Sequence, residues 1–113
     1  MPQFAMNMNT LQKVNLNLLV VFVVLMRERS ATRAAEKLSR TQPAVSASLR
    51  SLRTTFRDKL FTRKSQGMAP TLVATALYED LLPSLDMIEA TINKRMSAGK
   101  DSPTPKQRGR FRR

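Results

Sequence analysis

A chain of 113 residues with a formal charge of +12 and neither Cys nor His supports one small domain plus extensions. It excludes disulfides, thiolate metal sites and imidazole chemistry. The eight acidic residues are scattered, with no pair set for acid–base work, so the sequence predicts a non-enzyme with no cofactor and no metal site.

So basic a chain suits a polyanionic partner, because each Lys or Arg that neutralises a phosphate releases condensed counterions. The charge lies in blocks. Residues 1–64 carry twelve Lys/Arg against three acids, residues 65–93 four acids and no base, and residues 94–113 eight bases and one acid. This pattern separates a phosphate-facing part, a part that avoids phosphate and a basic tail.

Residues 1–13 read as a flexible polar leader, rich in Asn and Met and without a period. Asn15 is placed to cap a first helix reaching about Glu28. The apolar run Leu18 to Met26 is about half of what a membrane-spanning helix needs. Arg27-Glu28-Arg29 follows it with no small-residue cleavage site, which predicts a core helix and a cytoplasmic, nucleoid-associated protein with no membrane partner. Apolar side chains cover nearly the whole circumference of this helix. Val20, Val23 and Val24 exceed what a three-helix core can hide and are expected to meet a second protein surface.

Ser30 caps a second helix through about Leu38, with Ala34, Ala35 and Leu38 facing inward and the small Ala35 allowing a close helix crossing. Ser39 and Arg40 form a turn, and Thr41 caps a third helix whose first turn holds Pro43, where a missing N–H costs nothing. On this helix, ending near Phe56 or Arg57, Val45, Leu49, Leu52 and Phe56 make one apolar face. Ser46, Arg50, Arg53 and Arg57 repeat the spacing one residue later, about 100° around the axis. No acidic residue occurs between Glu36 and Asp58. A helix buried on one side and polar-basic on the other, directly after a helix and a turn, has the layout of a DNA recognition helix.

Leu60-Phe61-Thr62-Arg63 and Met68-Ala69 flank Lys64-Ser65-Gln66-Gly67, a polar hairpin tip, so these residues form a short two-stranded wing closed by Pro70-Thr71. From 72 to 93 the helical period returns. Leu77 or Tyr78, Leu81, Leu85, Ile88 and Ile92 form a stripe broadened by Leu82, opposite an acidic face, and Pro83 marks a kink or a local irregularity. Such a stripe is core or interface, and dimerisation would cover it. Residues 94–113, dominated by Ser, Gly, Pro, Lys and Arg, read as a disordered basic tail.

The segments LNLLVVF, RSATRAAEKL, TQPAVSASLRSLR and LFTRKSQGMAPT together resemble the N-terminal winged helix-turn-helix of LysR-type transcriptional regulators. The most specific pieces are Ala34-Ala35 with Leu38, the Gln42-Pro43-Ala44-Val45-Ser46 helix start, and Leu60-Phe61 with Arg63. The resemblance covers about residues 14–92. It implies a mainly α fold, with a winged helix-turn-helix over 14–71 and a linker and dimerisation helix over 72–93. It also implies a bacterial regulator that binds double-stranded DNA as a homodimer on an operator with two half-sites. The family's C-terminal effector-sensing domain is not present in this sequence, so the expectation is a shortened regulator without control by a small-molecule inducer. Arg57 and Lys59 stand where the family often has Gly and Pro, and Arg40 where it usually has an apolar residue.

In that arrangement Gln42, Pro43, Ser46 and Ala47 occupy the end of the helix that enters the major groove. Gln can pair with adenine, Ser with a base edge or a phosphate, and Pro or Ala with a thymine methyl. Arg50 would reach guanine or a phosphate, while Arg53 and Arg57, further along, read bases, contact phosphate or are simply exposed. Thr32, Arg33 and Thr41 flank the groove and could bind backbone phosphate, with Thr41 alternatively only a cap. On the wing, Arg63, Lys64 and Gln66 face neighbouring phosphates or the minor groove. The expected dimer interface comprises Val20, Val23, Val24, Leu77, Tyr78, Leu81, Leu82, Leu85 and Ile88. Two other functions compete with the sequence-specific regulator. One is an interaction protein whose dimerising helix captures full-length relatives into inactive pairs. The other is a non-specific binder of nucleic acid or membrane surface, driven by the tail.

Overall fold

The computed structural model describes residues 8–100, and the chain divides into two compact units between Tyr78 and Glu79. The elements are α1 (Met8–Lys13), α2 (Leu16–Glu28), α3 (Ala31–Leu38), α4 (Gln42–Phe56), β1 (Phe61–Lys64), β2 (Gly67–Pro70) and α5 (Leu72–Lys100).

The three central helices start where the sequence places caps. Asn15 Oδ1 accepts from Asn17 N at 2.7 Å, Ser30 Oγ from Arg33 N at 3.1 Å, and Thr41 Oγ1 from Ala44 N at 3.2 Å. Each bond satisfies an amide that the first helical turn leaves without a partner. The same helices end on Arg29, Ser39 and Arg57, all in the left-handed region with φ of 56°, 54° and 53°. Their N–H groups return to Leu25 O, Ala35 and Glu36 O, and Arg53 O respectively.

The core lies where α2, α3 and α4 pack on one another. Val21, Phe22 and Leu25 of α2, Ala34 and Ala35 of α3, and Val45, Leu49 and Leu52 of α4 are all buried. Burying a side chain of the Leu or Phe size contributes about 1.5–3 kcal/mol. An eight-residue helix such as α3 is marginal alone, so it is this packing that holds it. Leu60 and Phe61 extend the core beneath the wing, with the Phe22 and Phe61 rings 6.0 Å apart and inclined at 52°. Such a tilted pair is among the preferred aromatic arrangements. Val23 is a correction: at 7% exposure it belongs to this core, whereas Val20 stays 38% exposed and Val24 half-buried. The three-helix core with the wing absorbs one more valine than the pattern allowed.

The wing is an antiparallel pair in the register Phe61↔Pro70, Thr62↔Ala69, Arg63↔Met68 and Lys64↔Gly67. Gly67 has φ of +114°, and a Cβ there would come within 2.9 Å of the Arg29 carbonyl oxygen. That carbonyl accepts from Met68 N at 3.2 Å, so only glycine lets the hairpin seat on the α2–α3 corner.

Two expectations about the ends need revision. Of the leader expected over 1–13, Met8–Lys13 is helical, and residues 1–7 lie outside the described residues. Met, Leu, Gln and Lys are strong helix formers, and so short a helix shows no apolar period in sequence. The helix that starts at Leu72 runs on to Lys100 and not to 93. Lys94, Arg95, Met96 and Ala98 favour helix, and cations complement the negative C-terminal end of the helix dipole. The tail expected from 94 is therefore helical through 100, and its remainder lies outside the described residues. Pro83 sits inside α5 without interrupting it.

Candidate nucleic-acid interface

The two faces of α4 are separated as the spacing requires. Val45 and Leu52 have no exposed surface and Leu49 only 6%. Gln42, Pro43, Ala47 and Arg50 are exposed and Ser46 is half-buried. Gln42 Nε2 donates to Ser46 Oγ at 3.0 Å, a contact between positions i and i+4 that share one side of a helix.

Arg53 departs from the expected free basic stripe. Its Nε donates to Lys59 O at 2.8 Å and its Nη2 to Phe61 O at 3.2 Å. The guanidinium straps α4 to the start of β1 and leaves the side chain half-buried. Arg57 is exposed and closes the helix.

Thr32 and Arg33 lie on the exposed side of α3. Arg33 Nη2 donates to Glu28 O at 2.8 Å, and its Nε stands 3.6 Å from Glu28 Oε1. An ion pair this exposed adds little stability, yet the pair fixes the cation beside the end of α2. Thr41 is exposed and occupied as the α4 cap. Arg63, Lys64 and Gln66 are exposed on the wing.

Sequence reasoning missed a polar latch behind the wing. Asp58 Oδ2 accepts from Leu60 N at 2.8 Å and from the Thr71 hydroxyl at 2.6 Å, and Thr71 Oγ1 in turn accepts from Ala74 N at 3.1 Å. The hydroxyl bond from Thr71, then the Leu60 amide, hold the Asp58 carboxyl below its ordinary value of 3.8 against a small opposing effect of burial. A Thr immediately ahead of a helical pattern was the available signal. Thr71 thus serves as the cap of α5 as well as the closure of the hairpin.

On α5, Leu77, Tyr78, Leu81, Leu82 and Leu85 are half-buried and Ile88 is exposed. Met87, Ile92 and Met96 are exposed too, and Pro83, Ser84, Met87, Ile88, Thr91 and Ile92 line an open, mostly apolar groove. The two methionines were outside the expected interface, Met96 because the helix was expected to stop short of it. Among the described residues no helix is long and apolar enough to cross a membrane.

Residues 16–75 match the family described as "Bacterial regulatory helix-turn-helix protein, lysR family". The chain belongs to the LysR family. It is 46% identical over 87 residues to the HTH-type transcriptional activator NagR of a Ralstonia species, covering 77% of this chain and 29% of NagR. The LysR-type architecture recurs in the crystal structure of Vibrio fischeri DarR in complex with DNA, at a TM-score of 0.68 and 29% identity, over 77% of this chain and 30% of DarR. It recurs also in the BenM DNA-binding domain in complex with catB site 1 DNA. There the TM-score is 0.68 and the identity 27%, over 77% of this chain and 96% of the BenM chain. The chain thus spans less than a third of the length of NagR and DarR, and close to the whole of the isolated BenM domain.

Proposed function

We propose that this chain binds double-stranded DNA sequence-specifically as a homodimer and regulates transcription in the bacterial cytoplasm. The observation that carries the reading is the division of α4, with Val45, Leu49 and Leu52 locked in the core while Gln42, Pro43, Ala47 and Arg50 stand clear on the other side. In this mode the first turns of α4 enter the major groove, where Gln42 and Arg50 meet base edges, Ser46 lies beside Gln42, and Pro43 and Ala47 offer apolar contact to thymine methyls. Thr32, Thr41 and Arg33 flank the groove, and Arg63, Lys64 and Gln66 of the wing approach adjoining phosphates. Arg53 contributes by holding the wing rather than as a free cation. The apolar face of α5, with Leu81, Leu85 and Ile88, supports pairing of two copies, which would present two recognition helices to two half-sites. The DNA complexes of DarR and the BenM domain support the reading by their fold.

A duplex selected by the wild-type chain from random sequence provides the test in a mobility-shift titration. Ser46→Glu places a carboxylate against the groove and should weaken binding at least about tenfold, by loss of contact and by repulsion from phosphate. Undiminished binding by that variant would overturn the proposal.

The exposed apolar groove on α5 favours a second reading, in which the chain pairs with longer relatives and withdraws them from DNA. That activity requires the α5 stripe and not the recognition face. Repression measured with Leu81 and Leu85 made polar, against repression with Gln42 and Ser46 altered, separates the two readings.

A further inference from the structure

We propose that Ser46 is a positioning residue, whose hydroxyl orients the Gln42 carboxamide so that the two side chains read one adenine–thymine pair as a unit. The inference rests on α4 being the recognition helix, as proposed above, and adds a division of labour within it.

Gln42 opens α4, and its exposed side chain has three rotatable bonds before the amide. Free in solvent, that amide would sample both of its orientations. In the structure Nε2 donates one of its two protons to Ser46 Oγ at 3.0 Å, one helical turn away on the same side. The carboxamide then keeps Oε1 and a second N–H for a partner. One acceptor beside one donor is the complement of adenine, which offers N7 as acceptor and N6 as donor in the major groove. The reversed amide would turn Nε2 outward with both protons, which suits the two acceptors of guanine, N7 and O6. In the contact observed, with Nε2 donating to Ser46 Oγ, the edge left free is the one that matches adenine, and Ser46 does not itself touch the base. It also orders a flexible side chain before DNA arrives, so less freedom is lost on binding.

The experiment uses the whole 113-residue chain. Base preferences come from selection on random-sequence duplexes, and affinities are then measured on the selected duplex and on versions with each adenine replaced by guanine. Gln42→Ala should lower the adenine preference at one base pair about tenfold, the cost of a lost bidentate contact. Ser46→Ala should lower it about fivefold at that same pair, the worth of an ordinary hydrogen bond. The double variant should be no worse than Gln42→Ala, and Ser46→Thr, which keeps the hydroxyl, should restore the preference. Unchanged thermal midpoints would show that the fold is intact in each variant.

Ser46→Ala losing affinity equally on all sequences, or at a different base pair from Gln42→Ala, overturns the positioning role and leaves the regulator reading standing. Losses in the double variant that multiply the single ones overturn it as well. A wild-type chain without any sequence preference would overturn both.

Discussion

Arg29, Ser39, Arg57 and Leu60 carry side chains in left-handed backbone, and each is held there by bonds that its neighbours supply. Three of them close helices, a role usually given to glycine because a Cβ is disfavoured at positive φ. Arg57 stands where the LysR pattern often has Gly, and its φ of 53° explains that preference. Arg57→Gly should accordingly stabilise the fold by about 0.5–1 kcal/mol, read as a thermal midpoint a few degrees higher. Leu60 is buried as well as left-handed, with its amide bonded to Asp58 and its carbonyl to Thr71 N at 2.9 Å. The Asp58 carboxyl is a weaker base in the folded chain than in the unfolded one. Its contribution to stability is complete above the ordinary value of 3.8 and is lost as pH falls through the lower folded-state value. Asp58→Asn keeps the shape and removes the charge, so the wild-type advantage in thermal midpoint should shrink as the pH falls below 3.8. A gap that stays constant over that range would show that the charge has no part in the latch. The N-caps were legible in sequence because Asn15, Ser30 and Thr41 bond within their own first turn. The left-handed positions were not, because three of the four are closed by backbone-to-backbone bonds that leave no mark in residue type.

At the level of elements, the wing is fastened to the helices at three separate points. Arg53 donates to Lys59 O and Phe61 O, the Arg29 carbonyl accepts from Met68 N, and the Phe61 ring packs against Phe22. Arg53→Met preserves most of the apolar stem and deletes both guanidinium bonds. We expect a loss of about 1–2 kcal/mol, since the group is only half-buried, and a midpoint lower by about 5–10 °C. Amide exchange should quicken first in Phe61–Lys64, whereas unchanged exchange there would show that the strap does not hold the wing. The period of α4 and the glycine-containing tip revealed both partners in the sequence. Spacing gives the angle of a side chain about its helix and says nothing of where the chain turns six to eight residues later, so Arg53 looked like one more cation on the stripe.

For the molecule as a whole, charge and apolar surface are divided along the chain. The basic residues beside the exposed face of α4 belong to the unit Met1–Tyr78, and Met87, Ile88, Ile92 and Met96 lie along α5 in the unit Glu79–Arg113. On the proposed pairing, Ile88→Asp combined with Ile92→Asp should shift the chain from dimer to monomer in sedimentation and leave the helical content of 16–78 unchanged. DNA binding by the variant should weaken steeply, because a monomer engages one half-site at a time. A dimer surviving both changes would place the interface elsewhere. The apolar stripe was readable from its period, but the end of α5 was not. A composition rich in Lys and Arg looks like a tail in sequence, although the same residues favour helix when they continue one already formed.

The seat of the hairpin also limits how this fold can vary in length. Gly67 abuts the Arg29 carbonyl, whereas Ser65 and Gln66 stand exposed at the tip. Loop grafts and epitope tags will therefore be accommodated between Lys64 and Gly67, while a single residue added at 67 or 68 would slide β2 out of register and lever the hairpin off its corner.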